Sequence, residues 1–382
     1  MKNFAVLTGT RADYGILRPL LSKLENSCEV NLSLYVTGTH LSKAHGYTVE
    51  EIQSDSYEKI YLLPIDLGES KAEDLCLASS ELMRLFTNQI IMHRPDALIL
   101  LGDRYEILVV AQVALLLDIP IVHIHGGEVT QGAIDDSIRH AVSKLATIHF
   151  PCTDAFANRL RQLGEDDKTI FNVGAMGVEN VLTGEKQEIE SLFSELSLVL
   201  DKPVCLVTYH PVTHPDYRHE NNLTALLNVI KRFDDLQFVV TFPNGDKEGI
   251  KIIEQWQSIA GLKHVRMIPS LGMQRYTSLL HHTLCVIGNS SSGIIEAPAS
   301  GVQTINVGSR QDGRPRSDSV IDVPLCEHNI ANALIDICSG DFRTKGQTGY
   351  IAYSGCDVSE KIYQILISLD WTRLSKRPFV DR

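Results

Sequence analysis

Short apolar runs alternate along this chain with stretches in which leucines and other apolar residues recur every three or four positions. The run FAVLTG (residues 4–9) is followed by Leu17, Leu20, Leu21 and Leu24 at i, i+3, i+4 and i+7, the spacing of a helix with one buried stripe. VNLSLYVTG, DALILLGDR, IPIVHIHGG and TIHFPC follow, each rich in β-branched residues, each stopping at glycine, a charge or a turn residue. Their near-continuous apolar character predicts strands of a parallel sheet covered on both faces by helices. After IFNVGAMGVENVL the polar stretch TGEKQEIESLFSELS intervenes, and the pattern restarts with PVCLVTYHP, LQFVVTFPN, HVRMIP, TLCVIGNSSSG and VQTINVGSR. The predicted fold class is therefore α/β, with two Rossmann-like domains joined near residue 175 and facing across a cleft. The first spans 1–174 and the second 175–366, and the C-terminal helix, 367–382, is expected to complete the first. Ligands are expected at the carboxyl ends of the strands and between the halves.

Composition narrows the function classes. A chain of 382 residues with 44% hydrophobic and 21% charged residues has enough apolar material for two cores. A formal charge of -12 argues against non-specific binding to nucleic acid or an anionic membrane, so an anionic ligand must meet local positive groups. The 8 cysteines form no C-x-x-C pair and several lie in apolar runs, which reads as buried thiols in a reducing compartment without a zinc or disulfide framework. The N-terminal apolar stretch is too short for a signal peptide. The run from Ile107 to Ile124 is broken by Asp118 and Pro120, so no membrane span is expected and the reading is a cytoplasmic protein.

Candidate chemistry gathers at the strand ends. In LTGTRADYG, Arg11 sits in the first βα loop with Asp13 at the expected N-cap, so that a guanidinium and free helix amides converge where a phosphate fits; a solvated arginine in a capped loop is the plain alternative. LGDRYE ends another buried strand with Asp103 and Arg104, either a site loop or a local ion pair. HIHGGEVTQGAIDDSIRH (123–140) carries His123, His125 and His140 with Glu128, Asp135 and Asp136. His123 and His125 read as sharing one strand face, which is also how hydrolytic metal centres begin. Asp135, Asp136 and Arg139 fall in little more than a helical turn, where Arg139 is expected to pair with the acids and leave no ligand set for a cation. The favoured reading is an acid/base cluster with no metal. In the second half His210 and Asn244 end strands, either as site residues or as turn residues. VIGNSSSGIIEAPASG predicts an anion cradle from Ser290 and Ser291 at a helix N-terminus, with Glu296 placed to accept from a ribose diol, and Arg310 follows the next strand.

TGTRADYG, LGDRYE, HIHGGE, IDDSIRHAVSKLA, HPVT, IGNSSSG with its following Glu296, and INVGSRQ with its following Gly-Arg stand in one order from residue 8 to residue 316. Together they resemble the UDP-N-acetylglucosamine 2-epimerases, and more closely the hydrolysing branch that opens sialic-acid-type sugar pathways. The resemblance implies a glycosyltransferase-B-like fold, a UDP-sugar substrate, no nicotinamide, metal or other cofactor, and by default a homodimer. It implies expulsion of UDP with loss of the C2 proton to give a 2-acetamidoglucal, then addition of water with inversion at C2, giving N-acetylmannosamine and UDP. By motif match Asp103 and Asp135 fall on catalytic acids, His210 on both a catalytic and a nucleotide role, and Asn244, Ser290, Ser291, Glu296 and Arg310 on nucleotide contacts, with Arg11 and Arg104 supplying charge to the β-phosphate. Many relatives carry Glu where this chain has His125, so the third acid/base role falls to His125 itself, an imidazole being able to serve as acid or base, or to Glu128. Two alternatives share the motifs: the same reaction on UDP-2,4-diacetamido-2,4,6-trideoxyglucose, of a legionaminic-acid-type pathway, and a glycosyltransferase on the same fold. A metal-dependent hydrolase is the remaining reading.

Overall fold

The computed structural model describes residues 1–43, 46–68, 71–130, 134–212, 215–243, 247–340, 349–374 and 379–381. The chain divides into two compact units. Unit 1 is Met1–Glu128, Asp135–Met176 and the segment from Gly355 onward; unit 2 is Gly177–Ser354 together with Val129, Thr130 and Ile134.

Unit 1 holds β1 (Lys2–Thr8), β2 (Val30–Val36), β3 (Ile60–Leu62), β4 (Ala97–Leu101), β5 (Ile121–Ile124) and β6 (Ile148–Phe150). All pair in parallel, in the order β3-β2-β1-β4-β5-β6. Unit 2 holds β7 (Val204–Thr208), β8 (Gln237–Thr241), β9 (Val265–Ile268), β10 (Thr283–Gly288), β11 (Gln303–Val307) and β12 (Val320–Val323), again all parallel, in the order β12-β11-β10-β7-β8-β9. Reading from β9, this is the same winding as unit 1: strand order reverses between β1 and β4 in one unit and between β7 and β10 in the other. A doubly wound sheet opens a crevice at that reversal, beyond the carboxyl ends of its strands. The two Rossmann-like units and their flanking helices make the fold glycosyltransferase-B-like.

The apolar runs became the interior strands as expected, because β1, β4, β5, β7 and β10 carry almost wholly buried side chains. The reading missed β3 and β12. Both are short edge strands, IYL and VIDV, with mostly half-exposed side chains; Asp322 interrupts the second, and the apolar run that the first opens, IYLLPI, is broken by Pro64.

The returning C-terminal segment starts earlier than the expected residue 367. Helix Val358–Ser368 places Val358, Ile362 and Leu366, followed by Trp371, in the core formed by Phe4, Leu17, Leu20, Leu24 and their neighbours. Trp371 meets Phe4 edge-on, with ring centroids 5.5 Å apart, and its Nε1–H donates to the Leu366 carbonyl at 3.0 Å. Among the described residues no helix is long and apolar enough to cross a membrane.

Candidate functional site

In unit 1 the loops after β1, β4 and β5 carry the titratable residues. The first helix, Arg11–Glu25, is capped by Thr10, not by Asp13: the Thr10 hydroxyl accepts from the Asp13 amide at 3.3 Å. The correction follows from geometry, since a cap residue precedes the helix and its oxygen reaches the third helical amide. Asp13 therefore lies inside the first turn, with Oδ2 buried and without a hydrogen-bond partner. Burial pushes its carboxyl up to about 6, against the pull of Arg104. Arg11 lies 3.1 Å from Glu51, half-exposed.

After β4, Asp103 and Arg104 do not pair with each other. Arg104 holds a two-pronged contact with Glu106, Nε to Oε2 at 3.1 Å and a terminal nitrogen to Oε1 at 3.0 Å, and the Glu106 side chain is fully buried. A close approach makes room for this pair. At Gly38, with φ +61, a Cβ would lie 2.8 Å from Glu106 Oε1 and 2.7 Å from the Gly9 carbonyl oxygen. Asp103 instead accepts from the guanidinium of Arg139, a buried residue on helix Ile134–Leu145. Arg139 was expected to pair with the acids of its own helix. Asp136 lies 3.9 Å from it, so the shorter partner is the carboxylate from the neighbouring strand end. Asp136 also lies 3.7 Å from His140. Asp135 stands in the first turn of the same helix, half-buried.

The two histidines of HIH separate. His123, on β5, is fully buried, with Nδ1 bonded to Ser143 Oγ at 3.0 Å and Nε2 to the Gly102 carbonyl at 2.7 Å. Burial pushes it down to about 3, so it is a neutral tether between β5, the β4 end and the following helix. His125 lies past the strand at φ +64, where strand alternation no longer applies, although its N–H still donates to the Phe150 carbonyl at 2.9 Å. The expected shared strand face is thus broken by the left-handed turn. His125 Nδ1 is 3.1 Å from Glu128 Oε1, and the thiol of Cys152, just beyond β6, donates to that same oxygen at 3.1 Å. Cys152 was counted among the cysteines and given no role in the sequence; its position directly after a predicted strand end was the available signal.

In unit 2 the loops after β7, β10 and β11 meet on Asn289, a fully buried residue not singled out in the sequence. Its Oδ1 accepts from the His210 amide at 2.6 Å and its Nδ2 donates to the His210 carbonyl at 2.8 Å. Its own carbonyl accepts from Arg310 at 3.1 Å and from Gln311 at 2.8 Å. This close convergence requires a glycine before it: at Gly288, with φ +137, a Cβ would lie 2.0 Å from the Thr208 carbonyl oxygen. The His210 ring is pushed down to about 3 by burial and by Arg310, so it is neutral. Glu220 accepts from the Ser309 amide at 3.0 Å and fixes the loop that carries Arg310.

Ser290 Oγ accepts from the Ser292 hydroxyl at 3.0 Å and its amide at 3.4 Å, and Ser291 precedes helix Ser292–Ala299 without a side-chain capping bond. Glu296, on that helix, accepts from the Tyr276 hydroxyl at 3.4 Å and lies against Gly177, where a Cβ would meet Glu296 Oε1 at 2.4 Å. Asn244 lies outside the described residues.

Residues 22–367 match the family described as UDP-N-acetylglucosamine 2-epimerase. The chain is 36% identical over 370 residues to a UDP-N,N'-diacetylbacillosamine 2-epimerase (hydrolyzing) from Legionella pneumophila, covering 96% of both chains. It is 36% identical over 326 residues to a GDP/UDP-N,N'-diacetylbacillosamine 2-epimerase (hydrolyzing) from Campylobacter jejuni, covering 84% of both. Among solved structures, that of a UDP-GlcNAc 2-epimerase from Neisseria meningitidis bound to UDP-GlcNAc shares the fold with a TM-score of 0.80 at 18% identity, covering 97% of this chain and 100% of that one.

Proposed function

This chain belongs to the UDP-N-acetylglucosamine 2-epimerase family, and we propose that it is a hydrolysing 2-epimerase of a UDP-activated 2-acetamido sugar, working as a cytoplasmic homodimer. The observation that carries the reading is the set of proton-transfer groups at the carboxyl ends of neighbouring strands in unit 1: Asp103 at the end of β4, and His125 and Glu128 in contact after β5.

In the first half-reaction the C1–O bond breaks with its electron pair leaving on UDP, and a base takes the C2 proton, leaving a C1–C2 double bond. In the second, water adds its oxygen at C1 and an acid returns a proton to C2 on the opposite face. Asp103, Asp135, Glu128 and His125 are the groups assigned to these transfers, because two steps of opposite sense need acids and bases held in different environments. Asp103 is held by Arg139, while Glu128 shares one oxygen between an imidazole and a thiol.

UDP is assigned to His210, Asn244, Ser290, Ser291, Glu296 and Arg310, whereas Arg11 and Arg104, expected to add positive charge, stand against Glu51 and Glu106. Asn289 supports this assignment, since one buried residue aligns both, His210 through its side chain and Arg310 through its backbone carbonyl. No step in this scheme uses a metal or cofactor, and a chelator is expected to leave turnover intact.

The relatives at 36% identity support a 2,4-diacetamido-trideoxy sugar as substrate, and the family description supports N-acetylglucosamine, which would give N-acetylmannosamine. Proton NMR of the products from each UDP-sugar in deuterated water tests both readings. The expected result is free C2-inverted sugar, UDP, and deuterium at C2, with faster turnover of the diacetamido substrate. A product that keeps its original hydrogen at C2, or transfer of the sugar to an acceptor, would overturn the epimerase reading.

A further inference from the structure

Three donors of graded softness converge where the turn after β5 meets the loop after β6. The ligand atoms of His125, Glu128 and Cys152 all lie within 4.8 Å of one another; Glu128 and Cys152 are buried and the His125 side chain is 12% exposed. We propose that these side chains form a binding site for a thiophilic divalent cation of the Zn2+ type.

The arrangement is close to what such an ion requires. Zinc sits about 2.0 to 2.1 Å from nitrogen, 2.0 to 2.2 Å from oxygen and 2.3 Å from sulfur, so tetrahedral donors stand about 3.3 to 3.7 Å apart. The imidazole and the thiol are each 3.1 Å from Glu128 Oε1, and spreading both by a few tenths of an ångström admits the ion. An imidazole, a carboxylate and a thiolate give a three-protein-ligand set that selects zinc over magnesium or calcium, and it leaves a fourth position open.

A hydrogen-bonded cluster is the competing account of the same contacts. The left-handed turn at His125, with φ +64, accompanies an Nδ1 held 3.1 Å from Glu128 Oε1, and the Cys152 thiol meets that same oxygen, so a single carboxylate oxygen stands between a nitrogen and a sulfur donor. The backbone around the site is also fixed. Arg159 donates to the Gly127 carbonyl at 2.5 Å, and Thr153, next to Cys152, caps the following helix by accepting from the Phe156 amide at 3.3 Å. Such supporting bonds keep donors in place when the proton between them is replaced by an ion.

Binding requires the thiol to give up its proton, so affinity rises with pH and each ion bound releases a proton. The site also competes with the proposed reaction, because an ion on Glu128 and His125 removes them from proton transfer; that consequence rests on the function proposed above, whereas binding itself does not.

Titration of the full-length, chelator-treated protein with Co2+ and Zn2+ tests the site without reference to turnover. The expected result is one ion per chain, with a thiolate-to-cobalt charge-transfer band that disappears when Zn2+ displaces Co2+. Cys152→Ser is expected to abolish the band, and Glu128→Gln, which keeps the shape of the side chain, to weaken Zn2+ binding by about 10- to 100-fold. Near-ultraviolet circular dichroism checks that each variant is folded. Absence of the band in the folded unmodified protein would overturn the proposal. So would equal Zn2+ affinity in both folded variants, which would place the ion on one of the exposed cysteines, Cys28, Cys76, Cys326, Cys338 or Cys356. Failure of the epimerase reading would appear separately, in the product analysis.

Discussion

At the scale of single residues, environment decides role more than residue type does. His123 and His125 stand one residue apart in HIH, yet the first is locked between Ser143 and Gly102 as a neutral tether, and the second meets Glu128 past the strand end. The sequence showed a dense titratable cluster; which histidine is structural depends on a left-handed turn that residue spacing does not encode. Asp103 is the sharper case. Paired with Arg139, it is a carboxylate of fixed orientation, and Asp103→Asn is expected to lower turnover by ~10² to 10⁴, the usual range for one acid/base group. Steady-state kinetics at saturating UDP-sugar checks this, and near-normal turnover would remove Asp103 from the reaction.

The buried histidines also set an acid limit on stability. His40 and His123 are fully buried, and burial lowers them from 6.5 to about 4 and about 3. Below 6.5 the unfolded chain binds protons that the folded chain refuses, so their stabilising contribution is complete above that pH and is lost as pH falls towards 3. Asp13 acts in the opposite sense, since its carboxyl is raised from 3.8 to about 6 and the folded state takes up its proton first; acidification through that window returns part of the loss. Each buried histidine contributes a limiting slope of about 1.4 kcal/mol per pH unit. Urea unfolding of the protein and of His123→Gln at pH 7 and pH 5 is expected to show a shallower pH dependence in the variant. Equal slopes would mean that His123 is protonated in the folded state.

At the scale of elements, the functional assignments ride on loops that follow buried parallel strands. The loop after β10 is the clearest: Gly288 allows the chain to turn against the end of β7, and Asn289 then ties that loop to those carrying His210 and Arg310. Arg310→Ala and Ser290→Ala are each expected to weaken UDP binding by about 1.5 to 3 kcal/mol, the scale of a charge-assisted hydrogen bond. Calorimetry with UDP measures the loss, and unchanged affinity in both would remove the assignment of UDP to this loop.

Strand–loop–helix alternation made the interior strands and their ends readable, and with them the places where Asp103, His125, His210, Ser290 and Arg310 stand. The edge strands β3 and β12 were passed over because each is only three or four residues long and is cut by a Pro or an Asp, Pro64 after β3 and Asp322 within β12. Nor were Asn289 and Cys152 readable, whose roles are contacts with residues distant in sequence that no local period announces.

At the scale of the whole molecule, the same six-strand winding occurs twice, and the chain enters unit 2 after Met176 and rejoins unit 1 at Gly355. Each unit has its own core and one of the chain's 2 tryptophans: Trp371 in the core of unit 1, Trp256 in that of unit 2. The C-terminal segment therefore stabilises the unit that contains the N-terminus. Lys2 reaches back to the Leu369 carbonyl at 3.0 Å, and Ser27 bonds Tyr363 at 2.8 Å, but the larger contribution is apolar, from Val358, Ile362, Leu366 and Trp371. Trp371→Ala removes an indole packed on Phe4 and is expected to destabilise unit 1 by about 3 to 5 kcal/mol. The variant retains Trp256 as the sole fluorescent tryptophan, reporting on unit 2. Separate cores predict that its fluorescence transition in urea stays near that of the unmodified protein read by the same residue, in a Trp371→Phe reference, while far-ultraviolet circular dichroism loses part of its amplitude at lower denaturant. Adding UDP at about 100 times its dissociation constant is then expected to stabilise the Trp256-reported unit by about 2.7 kcal/mol, because the assigned contacts His210, Ser290, Ser291, Glu296 and Arg310 all lie there. If the Trp256 transition instead falls in step with the loss of Trp371, the two units unfold as one cooperative body. If UDP leaves that transition where it was, the nucleotide is not held by unit 2.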